Sequence, residues 1–222
     1  MQPLFYEYIS EKVFHGCKIA RIDYRLAMDI VVANHYLHRR CPVSRAYGLV
    51  STKDNELVGV ITYGIPCSNT LLRGIAGNDE SDNVYELNRL WVSDTMPKNT
   101  ESFFVANTIK DLDKEIIVSF ADTEQGHIGY IYQACNFLYC GMSAPFLDPH
   151  VKGKEHQHIA TFAHGLTNRQ VVEKYGEEKV YFVQRSRKHR YIYFNAGRLR
   201  KKHLMKKLRY KILPYPKGKN NE

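Results

Sequence analysis

One carboxylate, Asp122, lies between two different hydrophobic patterns in residues 116–137. Residues 116–121 are apolar and rich in β-branched side chains, which predicts a buried strand, and from Ile128 onward apolar residues recur at helical spacing. A carboxylate at the end of a strand can act as a base or orient an amine. Asp122 can equally cap the helix by accepting a backbone N–H, and the position taken alone favours this cap.

A second ionisable group, Arg89, lies in residues 84–92, which have the composition of a strand. Strict alternation predicts that one face carries Tyr85, Leu87, Arg89 and Trp91, and the other Glu86, Asn88 and Leu90. An arginine among apolar neighbours needs a carboxylate, a carbonyl or a ligand phosphate, because an unpaired buried charge is costly. Glu86 or Asp122 could be that partner, so a structural ion pair and a functional role are both compatible with the pattern.

The sequence offers weaker candidates for metal or nucleophile chemistry. His35, His38 and Cys41 are each three residues apart, which would bring two of them to a metal if the helix continued, but Pro42 argues that it stops. No P-loop, dinucleotide fingerprint or nucleophile elbow is present. The five cysteines are odd in number and lack CxxC pairs, which argues against a disulfide framework and a four-cysteine zinc site.

The positive charge of the chain is concentrated near its C-terminus. The 222 residues carry a formal charge of +9, but residues 185–222 hold 14 Lys or Arg against one acid, while residues 1–184 hold 18 basic and 22 acidic residues. A basic segment on a mildly acidic body is typical of a polyanion binder, most often a nucleic-acid binder, although a merely solubilising tail has the same composition. We expect a soluble, cytosolic protein, since no apolar run approaches the length that spans a bilayer.

The patterns along the chain predict alternating strands and helices. The expected helices cover residues 22–37 with Asp23 as cap, 103–113 with Ser102 as cap, the segment after Asp122, and 197–211. The expected strands cover 47–51, 57–63, 84–92, 116–121, 138–143, 179–183 and 190–194, whereas 69–83 and 144–180 are expected to be irregular. This succession predicts an α/β fold.

The stretch from Arg185 to Phe194 combines cations with aromatic side chains, which can pair phosphate contacts with base stacking. A hairpin with an aromatic core face and a charged outer face is the alternative. Further cations follow on the expected helix over 197–211. The candidate nucleic-acid contacts are Arg185, Arg187, Lys188, Arg190, Arg198, Lys201, Lys202, Lys206, Lys207 and Arg209.

Taken together, these segments resemble one family, the bacteriophage Mom DNA-modification proteins. The resemblance covers roughly residues 30–217. It is carried by His35-Tyr36, by Glu86-Leu87-Asn88-Arg89-Leu90-Trp91-Val92, by the unit from Ser119-Phe120-Ala121-Asp122-Thr123 to Phe137, by Arg190-Tyr191-Ile192-Tyr193-Phe194 and by Pro214-Tyr215-Pro216-Lys217. Mom-like proteins convert adenine in phage DNA to N6-carbamoylmethyladenine and so protect it from host restriction enzymes.

The fold of these proteins is similar to that of GNAT acyltransferases. The resemblance therefore implies a GNAT-like mixed central sheet flanked by helices, with a catalytic domain over residues 1–184 and a basic extension over 185–222 that packs on it and binds double-stranded DNA. The loop 97–102 departs from GNAT proteins because it lacks their Gln/Arg-x-x-Gly-x-Gly/Ala pyrophosphate cradle. A bare helix N-terminus can still hold an anion, and the candidate donor-binding residues are Lys98, Asn99, Thr100 and Ser102.

The resemblance carries the family's active-site positions over to His35, Tyr36, Arg89, Asp122 and Tyr132. In our interpretation Asp122 accepts a proton from, or orients, the adenine N6 amine, and Arg89 neutralises charge on the donor. Tyr36 and Tyr132 stack on or hydrogen-bond the base, which a duplex must expose, and His35 shuttles a proton or binds a metal.

Several features stay open at this stage. The donor could be acetyl-CoA or another acyl or aminoacyl compound, free or on a carrier; a metal ion and a homodimer are both compatible with the sequence. A membrane is not expected as a partner, and the resemblance implies a phage- or prophage-encoded protein in the host cytoplasm. The alternative functions are a GNAT-like acyl- or aminoacyltransferase with a non-DNA acceptor and a non-catalytic DNA-binding protein.

Overall fold

A mixed eight-stranded sheet forms the centre of the protein in a computed structural model that describes residues 6–155, 157 and 159–218. The strands are β1 (Glu7–Tyr8), β2 (Cys17–Arg21), β3 (Arg45–Ser51), β4 (Leu57–Gly64), β5 (Val84–Val92), β6 (Ile116–Asp122), β7 (Leu138–Met142), β8 (Leu147–Val151), β9 (Val180–Gln184) and β10 (Lys188–Phe194). The helices are α1 (Tyr24–Asn34), α2 (Asn69–Ala76), α3 (Thr100–Thr108), α4 (Tyr130–Ala134), α5 (Ile159–Ala163), α6 (Asn168–Tyr175) and α7 (Arg198–Lys207). No helix in the described ranges is long and apolar enough to cross a membrane.

The order of strands in the central sheet is β1-β2-β3-β4-β5-β6-β10-β7, and β8 and β9 form a separate ribbon. The β5–β6 pair is parallel, whereas the other neighbours in the central sheet run antiparallel. One face of the sheet packs against α3 and α4, and the other against α1, α2 and α7. The predicted fold class, a mixed central sheet flanked by helices, is confirmed.

Local sequence signals position several of these elements as predicted. Asp23 caps α1, because its Oδ1 accepts the Arg25 N–H at 2.7 Å. The strands expected over 47–51 and 57–63 correspond to β3 and β4, and β5, β6, β7, β9 and β10 also lie where strands were expected. However, β9 and β10 do not pair with each other, since β9 joins β8 and β10 lies between β6 and β7.

Two segments expected to be irregular are folded. Within 69–83, α2 begins after Ser68, whose hydroxyl oxygen accepts the Leu71 N–H at 3.2 Å, and a 3-10 helix follows over Asn78–Asn83. The glycine and the acids of this segment obscured the amphipathic pattern that buries Ile75 and Ala76. Residues 144–184 contain β8, α5, α6 and β9, with a small hydrophobic core of their own.

Other helix boundaries were also wrong. The helix expected over 103–113 is α3, which starts at Thr100 and continues into a 3-10 turn over Ile109–Asp111. Ser102 does not cap it, because its hydroxyl donates to the Asn99 carbonyl oxygen. The basic helix ends at Lys207 rather than at residue 211, and α1 ends at Asn34.

A β-bulge in β5 changes which side chains share a face. Thr62 pairs with Arg89 and Tyr63 pairs with Leu87, so that Asn88 is an extra residue. Beyond the bulge the alternation is shifted by one position. Leu90 and Val92 therefore join the core that contains Tyr85 and Leu87, while Trp91 packs with the α1 cluster. The prediction that Trp91 shares the face of Leu87 is wrong, since strict alternation contains no bulge.

The basic C-terminal segment contributes directly to the sheet. Residues 188–194 form an interior strand, β10, paired with β6 on one side and β7 on the other. The α7 helix that follows is attached by Arg200, which contacts Glu80 at 2.6 Å and Glu115 at 2.8 Å. The first part of the predicted extension is thus integral to the sheet, and residues 219–222 lie outside the described ranges. That the segment binds DNA stays a prediction.

We expect loss of the Glu80 ion pairs to destabilise the fold in acid. The pKa of Glu80 is lowered to about 2. The hydrogen bonds from Arg200 lower it most, burial opposes this effect, and the hydrogen bond from Lys207 lowers it further. The stabilisation is present above the unfolded pKa, near 4.5, and is lost as the pH falls towards 2. Arg200→Met should lower the free energy of unfolding at pH 7 by about 2 kcal/mol. This value is smaller than the pKa shift alone would give, because Arg200 is partly exposed and solvent screens its charge.

Urea denaturation at pH 7 and pH 3 tests this prediction. The deficit of Arg200→Met relative to the wild type should shrink at pH 3. At that pH the unfolded chain binds a proton at Glu80 that the folded wild type, with a Glu80 pKa of about 2, mostly does not bind, so the ion pair stabilises the fold less than at pH 7. Arg198→Met is the matched control on the same helix, since Arg198 is exposed. Equal unfolding free energies for the wild type and Arg200→Met at pH 7 would show that the pair does not stabilise α7.

Candidate active site

The parallel strands β5 and β6 separate beyond their fourth residue pair. They pair from Val84 and Ile116 to Leu87 and Ser119; after that point β5 continues only beside β4, and β6 only beside β10. Two adjoining cavities open in this gap, one of about 360 Å³ and one of about 700 Å³. We call them the small cavity and the large cavity. Both are lined by Tyr36, Leu87, Asn88, Arg89 and Phe120.

All five predicted catalytic residues line these cavities. His35, Tyr36, Arg89 and Tyr132 line the small cavity, and Tyr36, Arg89 and Asp122 line the large one. They lie at the end of α1, on β5, at the end of β6 and on α4, which are distant from one another in the sequence. The structure thus brings together the residues that the resemblance singled out, while their catalytic roles stay predictions.

Asp122 is the last residue of β6 and is only 6% exposed. Its Oδ1 accepts the Glu124 N–H at 3.1 Å, and its Oδ2 lies 3.2 Å from the Lys188 ammonium. Burial acts to raise the pKa of Asp122, but hydrogen bonds from Ser186 and Glu124 and the charge of Lys188 outweigh it and lower that pKa. Asp122 is therefore an ionised carboxylate at neutral pH, better suited to orienting an amine than to removing its proton.

Asp122 also has the capping role that its position favoured. The turn that it caps is a 3-10 turn over Thr123–Gln125, and the α-helix begins only at Tyr130. Because Oδ1 serves the turn, Oδ2 is the atom that faces Lys188 in the large cavity. The cap and the functional interpretation are compatible in one side chain.

Arg89 forms no ion pair within the described residues. Its guanidinium donates to the carbonyl oxygens of Asn88 at 2.6 Å and Arg39 at 3.4 Å, while its buried Nε has no partner there. The structural ion pair with Glu86 or Asp122 that the sequence allowed is not formed. A cation held by two carbonyl oxygens between two cavities retains its charge for an anionic ligand group.

Glu86 is a functional candidate that the sequence analysis considered only as a partner for Arg89. It lies on β5, lines the large cavity, and has its pKa raised by burial, against the opposing charges of Arg89 and Lys188. A carboxylate with a raised pKa is a better proton acceptor than Asp122. The sequence held no signal for this difference, since it depends on how deeply each side chain is buried.

His35 follows the last residue of α1 and is 7% exposed. Burial first, and then the charge of Arg89, lower the pKa of His35 to about 4, so the imidazole is neutral at physiological pH. Its Nδ1 accepts the Leu37 N–H at 3.2 Å, which leaves Nε2 carrying the proton. His35 can therefore donate a hydrogen bond in the small cavity, but it is a poor proton acceptor near pH 7.

The two tyrosines of the site provide aromatic surface and phenol donors. Tyr36 stacks on His35 with ring centroids 4.4 Å apart and is 41% exposed. Tyr132 packs against Tyr191 and Phe137, and burial raises the pKa of Tyr132 to about 12. The preceding Gly129 has φ +80°, and a Cβ there would overlap the Tyr191 ring, so a side chain at this position would disturb the start of α4.

The predicted donor-binding residues lie elsewhere, around the start of α3. Lys98 and Asn99 are exposed, but the Thr100 hydroxyl donates to the Pro97 carbonyl oxygen and the Ser102 hydroxyl donates to Asn99. None of the four lines the small or the large cavity. Their contact with a donor stays a prediction.

The described residues contain no group of three or more His, Cys, Asp or Glu side chains placed to hold a metal ion. His38 and Cys41 do not join His35, because the Nδ1 of His38 contacts the Val32 carbonyl oxygen and the Cys41 thiol donates to Asn88 Oδ1 at 3.3 Å. His35, His38 and Cys41 therefore do not form a shared ligand set for a metal.

The predicted DNA contacts fall into two groups. Some are engaged within the protein: Arg185 with Asp148, Lys188 with Asp122, Lys207 with Asp79 and Glu80, Arg190 over the Tyr210 ring and Lys201 over the Tyr193 ring. Arg187 is exposed, but its Nε donates to the Ser143 carbonyl oxygen at 2.8 Å. The exposed remainder are Arg198, Lys202, Lys206 and Arg209. Arg39, which lines the large cavity, is a cation that the sequence analysis did not include.

Comparison with known proteins places this site in context. A model of the Mom protein family matches residues 16–217. The chain is 31% identical over 236 residues to the methylcarbamoylase Mom of Escherichia phage Mu. The alignment covers 97% of this chain and 91% of the phage Mu protein.

Solved structures of similar fold are acetyltransferases. The ribosomal-protein-S5-alanine acetyltransferase of Vibrio fischeri is 10% identical, with a TM-score of 0.49 over 84% of this chain and 97% of that one. A GNAT-family acetyltransferase of Bacillus cereus is 12% identical, with a TM-score of 0.44 over 82% of this chain and 99% of that one.

The family match includes both strands that border the cavities and every residue that lines them. It also includes the whole of β10, which completes the sheet beside β6. With this coverage and the identity to the phage Mu protein, the chain belongs to the Mom protein family.

Proposed function

We propose that this protein is a methylcarbamoylase that converts adenine in DNA to N6-carbamoylmethyladenine. The observation that supports it best is the gap between β5 and β6, where a Mom-family chain gathers Asp122, Glu86 and an unpaired Arg89 around two adjoining cavities. By analogy with phage protection, the activity belongs to the host cytoplasm, where the DNA would resist restriction enzymes.

The transfer requires a proton acceptor and a group that neutralises charge. A bond forms between adenine N6 and the methylene carbon of the carbamoylmethyl group, the bond from that carbon to the donor's leaving group breaks, and N6 loses one proton. Glu86, with its raised pKa, is suited to accept this proton, while ionised Asp122 accepts a hydrogen bond from the amine and orients it. Arg89 stabilises negative charge that develops on the donor.

Adenine must leave the base stack to reach these groups. The large cavity is lined by four cations, Arg39, Arg89, Arg185 and Lys188, and by four acids, Glu86, Asp122, Glu124 and Asp148. Asp148 and Asp122 pair with Arg185 and Lys188, so Arg39 and Arg89 are the cations suited to an anionic group. The small cavity offers the rings of Tyr36 and Tyr132 to a displaced base. We place the target adenine at the junction that Tyr36 and Arg89 share.

The donor in this proposal enters beside Arg89 and brings the carbamoylmethyl group as a small molecule or on a carrier. Acetyl-CoA or another acyl compound held by Lys98 and Asn99 at the start of α3 would need to span the distance from that helix to the cavities. The polar atoms of Thr100 and Ser102 are already used within the loop, so backbone N–H groups would carry the contact.

Restriction digestion tests the proposed function. Plasmid DNA from cells that make the protein should resist a panel of endonucleases whose sites contain adenine, and the same DNA from cells without the protein should be cut. Resistance that persists in an enzyme panel without adenine in its sites, or complete cutting by every enzyme, would oppose the proposal.

The Arg89 guanidinium should be required for transfer but not for folding. Arg89→Met should lower the rate of modification roughly 10²- to 10³-fold, because a charge aimed at the reacting groups is lost, and Arg89→Lys should retain part of the rate. The melting temperature of Arg89→Met should not fall, since Arg89 forms no ion pair in the described part of the chain. Arg40→Met is the control: Arg40 is exposed and pairs with Asp29. Full activity of Arg89→Met would remove Arg89 from the mechanism.

A further inference from the structure

Asn88 occupies the bulge of β5, just beyond the point where β5 and β6 separate, and it lines both cavities. Its side-chain amide forms hydrogen bonds through both the nitrogen and the oxygen. Nδ2 donates to the Pro42 carbonyl oxygen at 2.7 Å, and Oδ1 accepts from the Thr62 hydroxyl at 2.6 Å and from the Cys41 thiol at 3.3 Å. Only a group with both a donor and an acceptor can serve these three partners.

Two of these partners belong to the loop over residues 35–44, which connects α1 to β3. We call this segment the site loop, because its residues His35, Tyr36 and Arg39 line the cavities. Every residue of the loop lies in the described ranges, and none belongs to a helix or a strand. The place of these three side chains therefore depends on the contacts that attach the loop to the sheet.

The site loop is attached to two strands near its end. The Ser44 N–H donates to the Tyr63 carbonyl oxygen at 2.8 Å, which joins the loop to β4. A Cβ at Gly64 would overlap the Pro42 carbonyl oxygen, so the loop also touches the backbone of β4. The same Pro42 oxygen accepts the amide of Asn88. Asn88 therefore joins the loop to β5 at the point where the loop already lies against β4.

Asn88 also holds the Arg89 side chain. The Arg89 Nη1 donates to the Asn88 carbonyl oxygen at 2.6 Å, and Nη2 donates to the carbonyl oxygen of Arg39 in the site loop at 3.4 Å. Because Arg89 forms no ion pair in the described part of the chain, these two oxygens set the direction of its guanidinium. One oxygen belongs to Asn88 and the other to the loop that Asn88 attaches, so a shift of the loop would turn the charge.

We propose that Asn88 is a positioning residue, whose side-chain amide fixes the site loop so that the Arg89 guanidinium keeps its direction at the junction of the two cavities. A displacement of about 1 Å at a reacting group can lower a rate about 10²-fold, so such an attachment affects the reaction without contact with the reacting atoms. This inference rests on the proposed function, because it assigns the Asn88 amide to the transfer that Arg89 supports.

A double-mutant cycle separates this role from simple packing. Asn88→Ala should lower the rate of modification, measured by mass spectrometry of nucleosides from plasmid DNA, roughly 10- to 10²-fold. In a chain that already carries Arg89→Met, the same change should lower the rate by no more than about threefold, since no guanidinium remains to be directed. Asn34→Ala is the matched control, because Asn34 is exposed and its Nδ2 donates only within α1, to the Ile30 carbonyl oxygen. It should leave the rate within about twofold of the wild type.

Hydrogen exchange of the full chain gives a readout that does not depend on the reaction. In Asn88→Ala the amides of residues 35–44 should exchange roughly 10-fold faster than in the wild type, while those of β6 should not change. Asn88→Asp keeps the size of the side chain and an acceptor for Thr62, but its carboxylate cannot donate to Pro42, so it should show the same faster exchange.

Two results would overturn the positioning role. One is unchanged exchange in residues 35–44 for both variants, and the other is an equal loss of rate from Asn88→Ala with and without Arg89. A wild-type protein that leaves DNA unmodified would instead oppose the proposed function, and the exchange result would still decide whether Asn88 fixes the site loop.

Discussion

Asp122→Asn should abolish modification, with a loss of at least roughly 10³-fold in rate, while the protein stays folded. The amide keeps the oxygen that accepts the Glu124 N–H, so the cap of the turn over Thr123–Gln125 is retained. What is lost is the negative charge that faces Lys188 and would orient the N6 amine. The rate is measured as N6-modified adenine per total adenine in plasmid DNA over time.

Glu124→Gln is the matched control for this variant. Glu124 is exposed, lines the same cavity and lies two residues further along the chain. Its substitution should leave the rate within about twofold of the wild type, because its charge is screened by solvent. If folded Asp122→Asn modifies DNA at the wild-type rate, then Asp122 serves only the turn.

Glu86→Gln should lower the rate roughly 10²- to 10⁴-fold by removing the proton acceptor. The pKa of Glu86 is raised by burial, so the wild-type rate should increase as the pH passes through that pKa, which lies above 4.5, and then level off. The variant should lose this rise. A pH series of the modification rate measures it.

Stability provides the second readout for Glu86. A carboxyl group whose folded pKa is raised opposes folding above its unfolded pKa, because the folded state must bury the charge. Glu86→Gln should therefore melt at an equal or higher temperature at pH 7 while losing activity. Glu56→Gln, in the exposed turn between β3 and β4, should change neither property. A Glu86→Gln protein that melts lower and retains its rate would show that Glu86 has a structural role.

The sequence predicted the parts of the site that depend on local pattern. The apolar run before Asp122 and the β-branched composition of β5 placed both strands, and the resemblance identified the five side chains that meet in the cavities. Asp23 gave the start of α1 because an N-cap is a short-range signal.

What the sequence could not give depends on contacts between distant residues. The bulge at Asn88 arises from pairing between β4 and β5, so alternation alone put Trp91 on the wrong face. The different pKa directions of Glu86 and Asp122 follow from depth of burial and from Ser186 and Lys188, which lie far along the chain. Within residues 144–184 the sequence predicted only the strand that forms β9, because the short helices and β8 are stabilised by their packing together and have weak patterns of their own.

The two cavities connect these results into one account. Arg89 and Tyr36 border both, so that a base on the tyrosine rings of the small cavity and a donor beside Arg89 would meet at the same two residues. In this arrangement adenine N6 in DNA is the atom modified, and the charge of Asp122 takes part.

Mass spectrometry of nucleosides tests both points most directly. DNA would be isolated from cells that make the wild-type protein or folded Asp122→Asn, digested to nucleosides and analysed for adenosine products. We expect deoxyadenosine with a carbamoylmethyl group on N6 in the wild-type sample and none in the variant. Unmodified deoxyadenosine in both samples, or the same product in both, would contradict the account.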